Sequence, residues 1–180
     1  MKIRSFRFVL KESPTILDNK CTVINTDCAA HGSPGLAGGG CIFRDCTRNY
    51  RGGFAAFFGI TDSLFAEVHA AIMAIEIAIK KGWKNIWLEC DSILVVDIFE
   101  GRGVVPWRLV NSWLRCMHGI SSMRFIVTHI FREGNTCADR LAAFGVTSRV
   151  YTWWDVIPRF IFEEFNRNRL GIPNYRCNFL

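Results

Sequence analysis

The segment from Thr61 to Gly82, TDSLFAEVHAAIMAIEIAIKKG, restricts the fold more than any other part of the chain. Leu64, Val68, Ala71, Ile72, Ile75 and Ile79 recur at helical spacing. Asp62 or Ser63 can cap the start, and Lys80-Lys81-Gly82 supplies cations and a glycine stop. The preceding residues have a different period. CTVINTD, running from Cys21 to Asp27, is short, β-branched and ends at a turn cluster, as a strand does. Gly39 to Asp45 and Gly53 to Ile60 read as two more strands, with turn chemistry between them, so an antiparallel meander is expected. After the helix, NIWLECD reads as a strand ending on an acid, and SILVVDIFEG as a short helix closed by Gly101. VPWRLVNSWLRCMHG follows as a helix with Pro106 near its first turn. MRFIVTHIF is a strand, and EGNTCADRLAAFG a helix stopped by Gly145. The order β-β-β-α-β-α-α-β-α predicts an α/β domain over residues 21–148, after an extension over 1–20. The aromatic and basic tail, 149–180, is expected to dock on that domain rather than fold alone.

With 180 residues, half of them hydrophobic, the chain can build a real core, and intrinsic disorder is excluded. No apolar run approaches the roughly 18 residues of a membrane span, and the N-terminus lacks the pattern of a secretory signal. The net charge of +6 suggests a polyanionic partner, but ordinary surface charge explains it equally well. The excess sits at the ends: +3 over residues 1–20 and +2 over 149–180, against +1 over 21–148. The eight cysteines form no C-x-x-C pair and no zinc-like cluster with histidine. They are scattered among apolar residues like buried thiols, so a reducing intracellular compartment, cytoplasm or nucleus, is expected.

Four acids carry the chemistry. Asp27 and Asp91 each end a strand; Glu67 lies in the first turns of the long helix; Asp139 lies beside the apolar face of the last short helix. Singly, each has an ordinary reading as a turn, a cap or a surface residue. Together they point elsewhere, because adjacent strand ends in an α/β sheet open onto one crevice. Carboxylates converging there repel one another unless a cation intervenes, and an all-oxygen set suits hard Mg²⁺ or Mn²⁺. Two such ions about 4 Å apart clamp the attacking and leaving oxygens of a phosphoryl displacement.

NTDCAAHGSPGLAGGG, LFAEVHAAIMAI, LECDS and REGNTCADRLA resemble, in order, the four motifs of the type 1 ribonuclease H superfamily. More narrowly, they resemble the plant ribonuclease H-like domains derived from non-LTR retroelement reverse transcriptases. The resemblance covers about residues 21–145, and WWDVIPRF…RNRLGIPNYR is similar to the segment that often follows in those proteins. The resemblance implies a ribonuclease H-like fold: a mixed five-stranded sheet, three antiparallel strands then two parallel, flanked by helices. It implies an endonuclease that cuts the RNA strand of an RNA–DNA hybrid using two Mg²⁺ ions, with Mn²⁺ a possible substitute. Asp27, Glu67, Asp91 and Asp139 fall on the family's metal-binding acids. Cys28, Ala29, Ser33, Gly35 and Ser92 fall where the family contacts nucleic acid. The implied partner is the hybrid, read by shape and 2′-hydroxyls. No membrane, no small-molecule cofactor and a monomeric state are expected.

The chain departs from the family at several positions. Cys28 follows Asp27 where glycine is usual, Ser33 replaces the asparagine of GNPG, and Ile93 stands where a polar contact residue is common. Two residues compete for the place of the family's mobile histidine: His129, ten residues before Asp139, and Arg132. His31, His69 and His118 read as surface or helix residues. Trp107, Trp113, Trp153 and Trp154 are expected to pack rather than stack on bases. The alternative to an enzyme is a domesticated, inactive module that binds nucleic acid without cutting it.

Overall fold

The computed structural model describes residues 20–170. The rest of the N-terminal extension and the last ten residues, with most of the terminal basic excess, lie outside the described residues. Three strands come first: β1 (Thr22–Gly32), β2 (Gly35–Asp45) and β3 (Tyr50–Thr61). Next are helix α1 (Ser63–Lys80), strand β4 (Asn85–Cys90), helix α2 (Ile93–Phe99), helix α3 (Val110–Ile120) and strand β5 (Arg124–His129). Helix α4 (Thr136–Ser148), a short strand β6 (Thr152–Trp154) and helix α5 (Phe162–Arg169) complete the described residues. The sheet order is β5-β4-β1-β2-β3-β6. β1 runs parallel to β4, and β4 to β5, while β1-β2-β3 form the expected meander.

The sheet therefore has six strands, not five. β6 comes from the tail and pairs antiparallel with β3, setting Phe54 opposite Trp153. Three residues are too few to show a strand's alternation in sequence. The edge of β3 presents unpaired backbone groups, and the tail covers them. Trp153 lies over Gly52, where a Cβ would meet its ring at 2.5 Å.

The α1 face of the sheet carries the main core. Ile24, Phe43, Phe54 and Leu88 pack there against Val68, Ile72 and Ile75 of α1 and Val95, Phe99 and Ile120 of α2 and α3. Asp62 caps α1, its side chain accepting from the Phe65 amide at 2.7 Å, and Gly82 follows the helix at φ +73°. α4 and α5 hold a second cluster on the other face: Ile42, Cys137, Leu141, Ile161 and Phe165. Of the four tryptophans expected to pack, Trp113 and Trp153 join the main core and Trp154 the second. Trp107, on a 3-10 turn before α3, is 84% exposed because no neighbouring element reaches it. His69 lies in α1, half-buried between Phe58 and Phe65, with ring centroids 4.5 and 5.4 Å away.

The glycine-rich stretch differs from its expected form. β2 begins at Gly35 rather than Gly39, and only Ser33-Pro34 turn between β1 and β2. The bare backbone at Gly38 and Gly40 faces α4. A Cβ on Gly40 would lie 2.2 Å from the Ala142 nitrogen, and one on Gly38 would lie 2.9 Å from that of Val146. Gly145 does not stop α4, which runs on to Ser148. It lies inside the helix because a Cβ there would stand 2.5 Å from the Ala56 oxygen. These glycines let main chain approach main chain.

Candidate active site

Parallel pairing of β1 with β4 ends at Thr26 opposite Cys90. Asp27 and Asp91 are the next residues on the two neighbouring strands. Asp27 is thus not at a strand tip, because β1 continues to Gly32, paired only with β2. It sits where the parallel half of the sheet stops, which is where a crevice opens. α1 begins one residue after β3 and supplies Glu67 from its second turn, while Asp139 lies in the first turn of α4.

Asp27 is only 4% exposed. Its Oδ1 accepts from the Cys28 amide at 2.7 Å, and its Oδ2 is buried without a partner. Burial, then the charges of Asp91 and Asp139, push its carboxyl up to about 8; the Cys28 amide and Arg132 oppose this. Glu67 is also raised, first by burial, with Asp91 adding to it and hydrogen bonds from the Ser92 and Cys28 side chains opposing it. Two overlapping groups emerge: Asp27 with Asp91 and Asp139, and Glu67 with Asp91. Asp139 is more open than Asp27, its side chain 47% exposed, with the Arg132 guanidinium 4.0 Å away.

Asn135 is a site residue that sequence reasoning missed. It is fully buried, and its Nδ2 donates to the Thr26 carbonyl at 2.9 Å and to Asp91 Oδ1 at 3.2 Å. An asparagine before a helix reads as an N-cap. Here the side chain makes no cap hydrogen bond and braces two strands instead. His129 is exposed at the end of β5, its Nε2 3.2 Å from the Asp91 carbonyl oxygen. Arg132 lies on the 3-10 turn before α4, facing the acids. Cys28 and Ala29 continue β1 beside Asp27, and the Cys28 thiol lies 3.7 Å from the Ser63 carbonyl oxygen. Ser92 lies next to Asp91. Ser33 and Gly35 are at the hairpin tip, several residues along β1 from Asp27 at about 3.3 Å each.

Among the described residues, no three His, Cys, Asp or Glu side chains are grouped so as to hold one metal ion as they stand. The donors nonetheless fit a hard divalent ion by their chemistry. They are all oxygen, they repel one another, and one buried carboxylate oxygen has no partner. Mg²⁺ keeps several waters and is commonly held by one or two carboxylates together with substrate phosphate, so it does not require a finished protein cage.

Residues 25–145 match the model of a family described as reverse transcriptase-like. The chain belongs to that family and to the ribonuclease H superfamily. A protein of Arabidopsis thaliana, provisionally named a ribonuclease H protein, is 30% identical over 151 residues. That match takes in 82% of this chain but only 24% of the plant protein's length. Two solved structures share the ribonuclease H fold at a TM-score of 0.65 and 27% identity, each over 71% of this chain. One is the N-terminal RNase H domain of a Mycobacterium tuberculosis protein fused to maltose-binding protein, 94% covered. The other is an RNase H1, LC11, solved with an RNA/DNA hybrid, 98% covered. The reverse transcriptase-like family match ends at residue 145, so β6 and α5 lie beyond it. No helix among the described residues is long and apolar enough to cross a membrane.

Proposed function

We propose that this chain is a ribonuclease H-type endonuclease that hydrolyses the RNA strand of an RNA–DNA hybrid, leaving a 5′-phosphate and a 3′-hydroxyl. The observation that carries this reading is the buried Asp27 carboxyl, with a partnerless oxygen, beside Asp91 and Asp139. The ribonuclease H names of its relatives and the hybrid bound by LC11 support it.

Asp27, Glu67, Asp91 and Asp139 are the residues that would hold two Mg²⁺ ions, or Mn²⁺ in their place. When bound, these ions supply Lewis acidity at the scissile phosphate and lower the pKa of an attacking water. The chain's own residues prepare the ground. Asn135 holds Asp91 in one orientation against the Thr26 carbonyl. Arg132 offsets the negative charge on the side of Asp139, and of the two candidates for the mobile histidine's place it is the one facing the acids. His129 is tied to the Asp91 backbone from the rim. Cys28, Ala29 and Ser92 line the approach, with Ser33 and Gly35 further along the hairpin. The reverse transcriptase-like family and the Arabidopsis relative support a plant retroelement origin. Cys21, Cys28, Cys41, Cys90, Cys116 and Cys137 hold free thiols, which supports a reducing intracellular compartment. We take the working unit to be a monomer without an organic cofactor.

The test is cleavage of a labelled hybrid in Mg²⁺ and in Mn²⁺. Asp27→Asn and Asp91→Asn are each expected to abolish it; a pure wild-type protein that cuts in neither metal rejects the enzyme. The second reading is a binding module that has lost catalysis. It is favoured by Cys28 beside Asp27 and by the lack, among the described residues, of a preformed three-ligand group. It predicts salt-dependent hybrid binding without cleavage.

A further inference from the structure

Helix α5 lies outside the family match, yet it touches the site through one residue. Asn168 Nδ2 donates to the Gly134 carbonyl at 3.0 Å, and its Oδ1 accepts from Arg44 Nη1. Gly134 directly precedes Asn135, which grips Asp91 and the Thr26 carbonyl. Arg44 is buried and extends the link. Its Nη2 donates to Asn25 Oδ1, Asn25 Nδ2 donates to Glu89 Oε2 at 2.9 Å, and Arg44 lies 3.6 Å from Glu89. β1, β2, β4 and α5 thus share one polar layer beneath the loop that carries Asn135. Arg44 and Asn135 both line a cavity of about 10 Å³ with Asn168, and Arg44 Nε and Asn135 Oδ1 have no partner in the protein. That is room for a single water between a donor and an acceptor.

α5 is itself firmly seated. Phe165 is buried in the second cluster and meets Tyr50 edge-on at 5.9 Å. Glu164 pairs with Arg140 at 2.8 Å. Arg48 donates to the Asn168 and Arg169 carbonyls at 3.5 and 3.2 Å. A rigid helix that pins a loop through a buried hydrogen bond can set the loop's position.

We infer that Asn168 is a positioning residue for the active site: through Gly134 it fixes Asn135, and through Asn135 the Asp91 carboxylate. The tail is then part of the catalytic scaffold and not a surface appendage. This inference rests on the nuclease reading for its effect on turnover, but not for the structural coupling.

The test compares the full chain with Asn168→Leu, which removes both side-chain bonds, and Asn168→Asp, which keeps the acceptor for Arg44 and removes the donor to Gly134. The readouts are amide hydrogen exchange over residues 132–139, Mn²⁺ affinity without substrate, and kcat and KM on a hybrid. Both variants should exchange faster over 132–139 than wild type, with exchange elsewhere unchanged. Mn²⁺ affinity and kcat should fall about 10–100-fold, as for residues that orient a metal ligand, with KM moving less than about twofold. Glu163→Gln, on the exposed side of the same helix, should change none of these. Wild-type exchange over 132–139 in both variants overturns the inference. So does faster exchange spread evenly along the chain, which would mark a merely structural role. A wild type that neither binds Mn²⁺ nor cuts defeats the nuclease reading instead, and exchange over 132–139 still decides the coupling.

Discussion

Asp27 concentrates the cost of this site in one side chain. Its folded-state pKa of about 8 lies above the ordinary 3.8, so between these values the folded chain holds a proton that the unfolded chain has lost. Stability from this group is therefore fully present below about pH 4 and is lost as pH rises toward 8. Asp27→Asn should stabilise the metal-free protein at pH 8 by on the order of a few kcal/mol. The gain should vanish near pH 4; urea melts at the two pH values check this. Asn135→Asp would set a second carboxylate against Asp91 Oδ1. It should lower hybrid cleavage about 10–100-fold with the fold intact, measured by initial rates beside circular dichroism. The four candidate acids could be picked out of the sequence because each lies in a motif with its own spacing. Asn135 was not, since the same letter before a helix serves as a cap and only the spatial neighbours reveal the brace.

At the scale of elements, α4 resting on β2 leaves very little tolerance. Gly40→Ala would force a Cβ to within 2.2 Å of the Ala142 nitrogen, backbone that cannot swing aside. The expected loss is about 1–3 kcal/mol or more, read from the shift in urea midpoint. Gly59→Ala is the contrast: nothing lies near its Cβ, so only the φ of +76° opposes it, at about 1–2 kcal/mol. The order of helices and strands was legible from periodicity as far as α4, because each had enough residues to repeat its pattern. Where β1 ended and β2 began was not. Glycine looks alike in a turn and beneath a helix, and the GSPGLAGGG run serves both purposes. β6 was illegible for the opposite reason, having too few residues to show a period.

For the whole molecule, the charge balance forecasts how tightly nucleic acid is held. Residues 21–148 carry a net charge of only +1, and residues 101–120, around α3, hold just Arg102, Arg108 and Arg115. Arg102 is paired with Asp97 and Glu100, and Arg108 stacks on Phe65 at 4.4 Å. Few phosphates are then neutralised, roughly two to four, and the slope of log affinity against log salt should be no steeper than about −4. Titrating the full chain with a labelled hybrid between low and moderate salt measures this slope, and a much steeper one would show a wider basic footprint. At Gly38 and Gly40 the main chain of β2 lies directly under the main chain of α4. At these two points the helix's height above the sheet is consequently set by van der Waals radii instead of by rotamers. Asp139 rides on that helix, so its elevation is inherited from a spacer that has no soft parts and should scarcely drift with temperature.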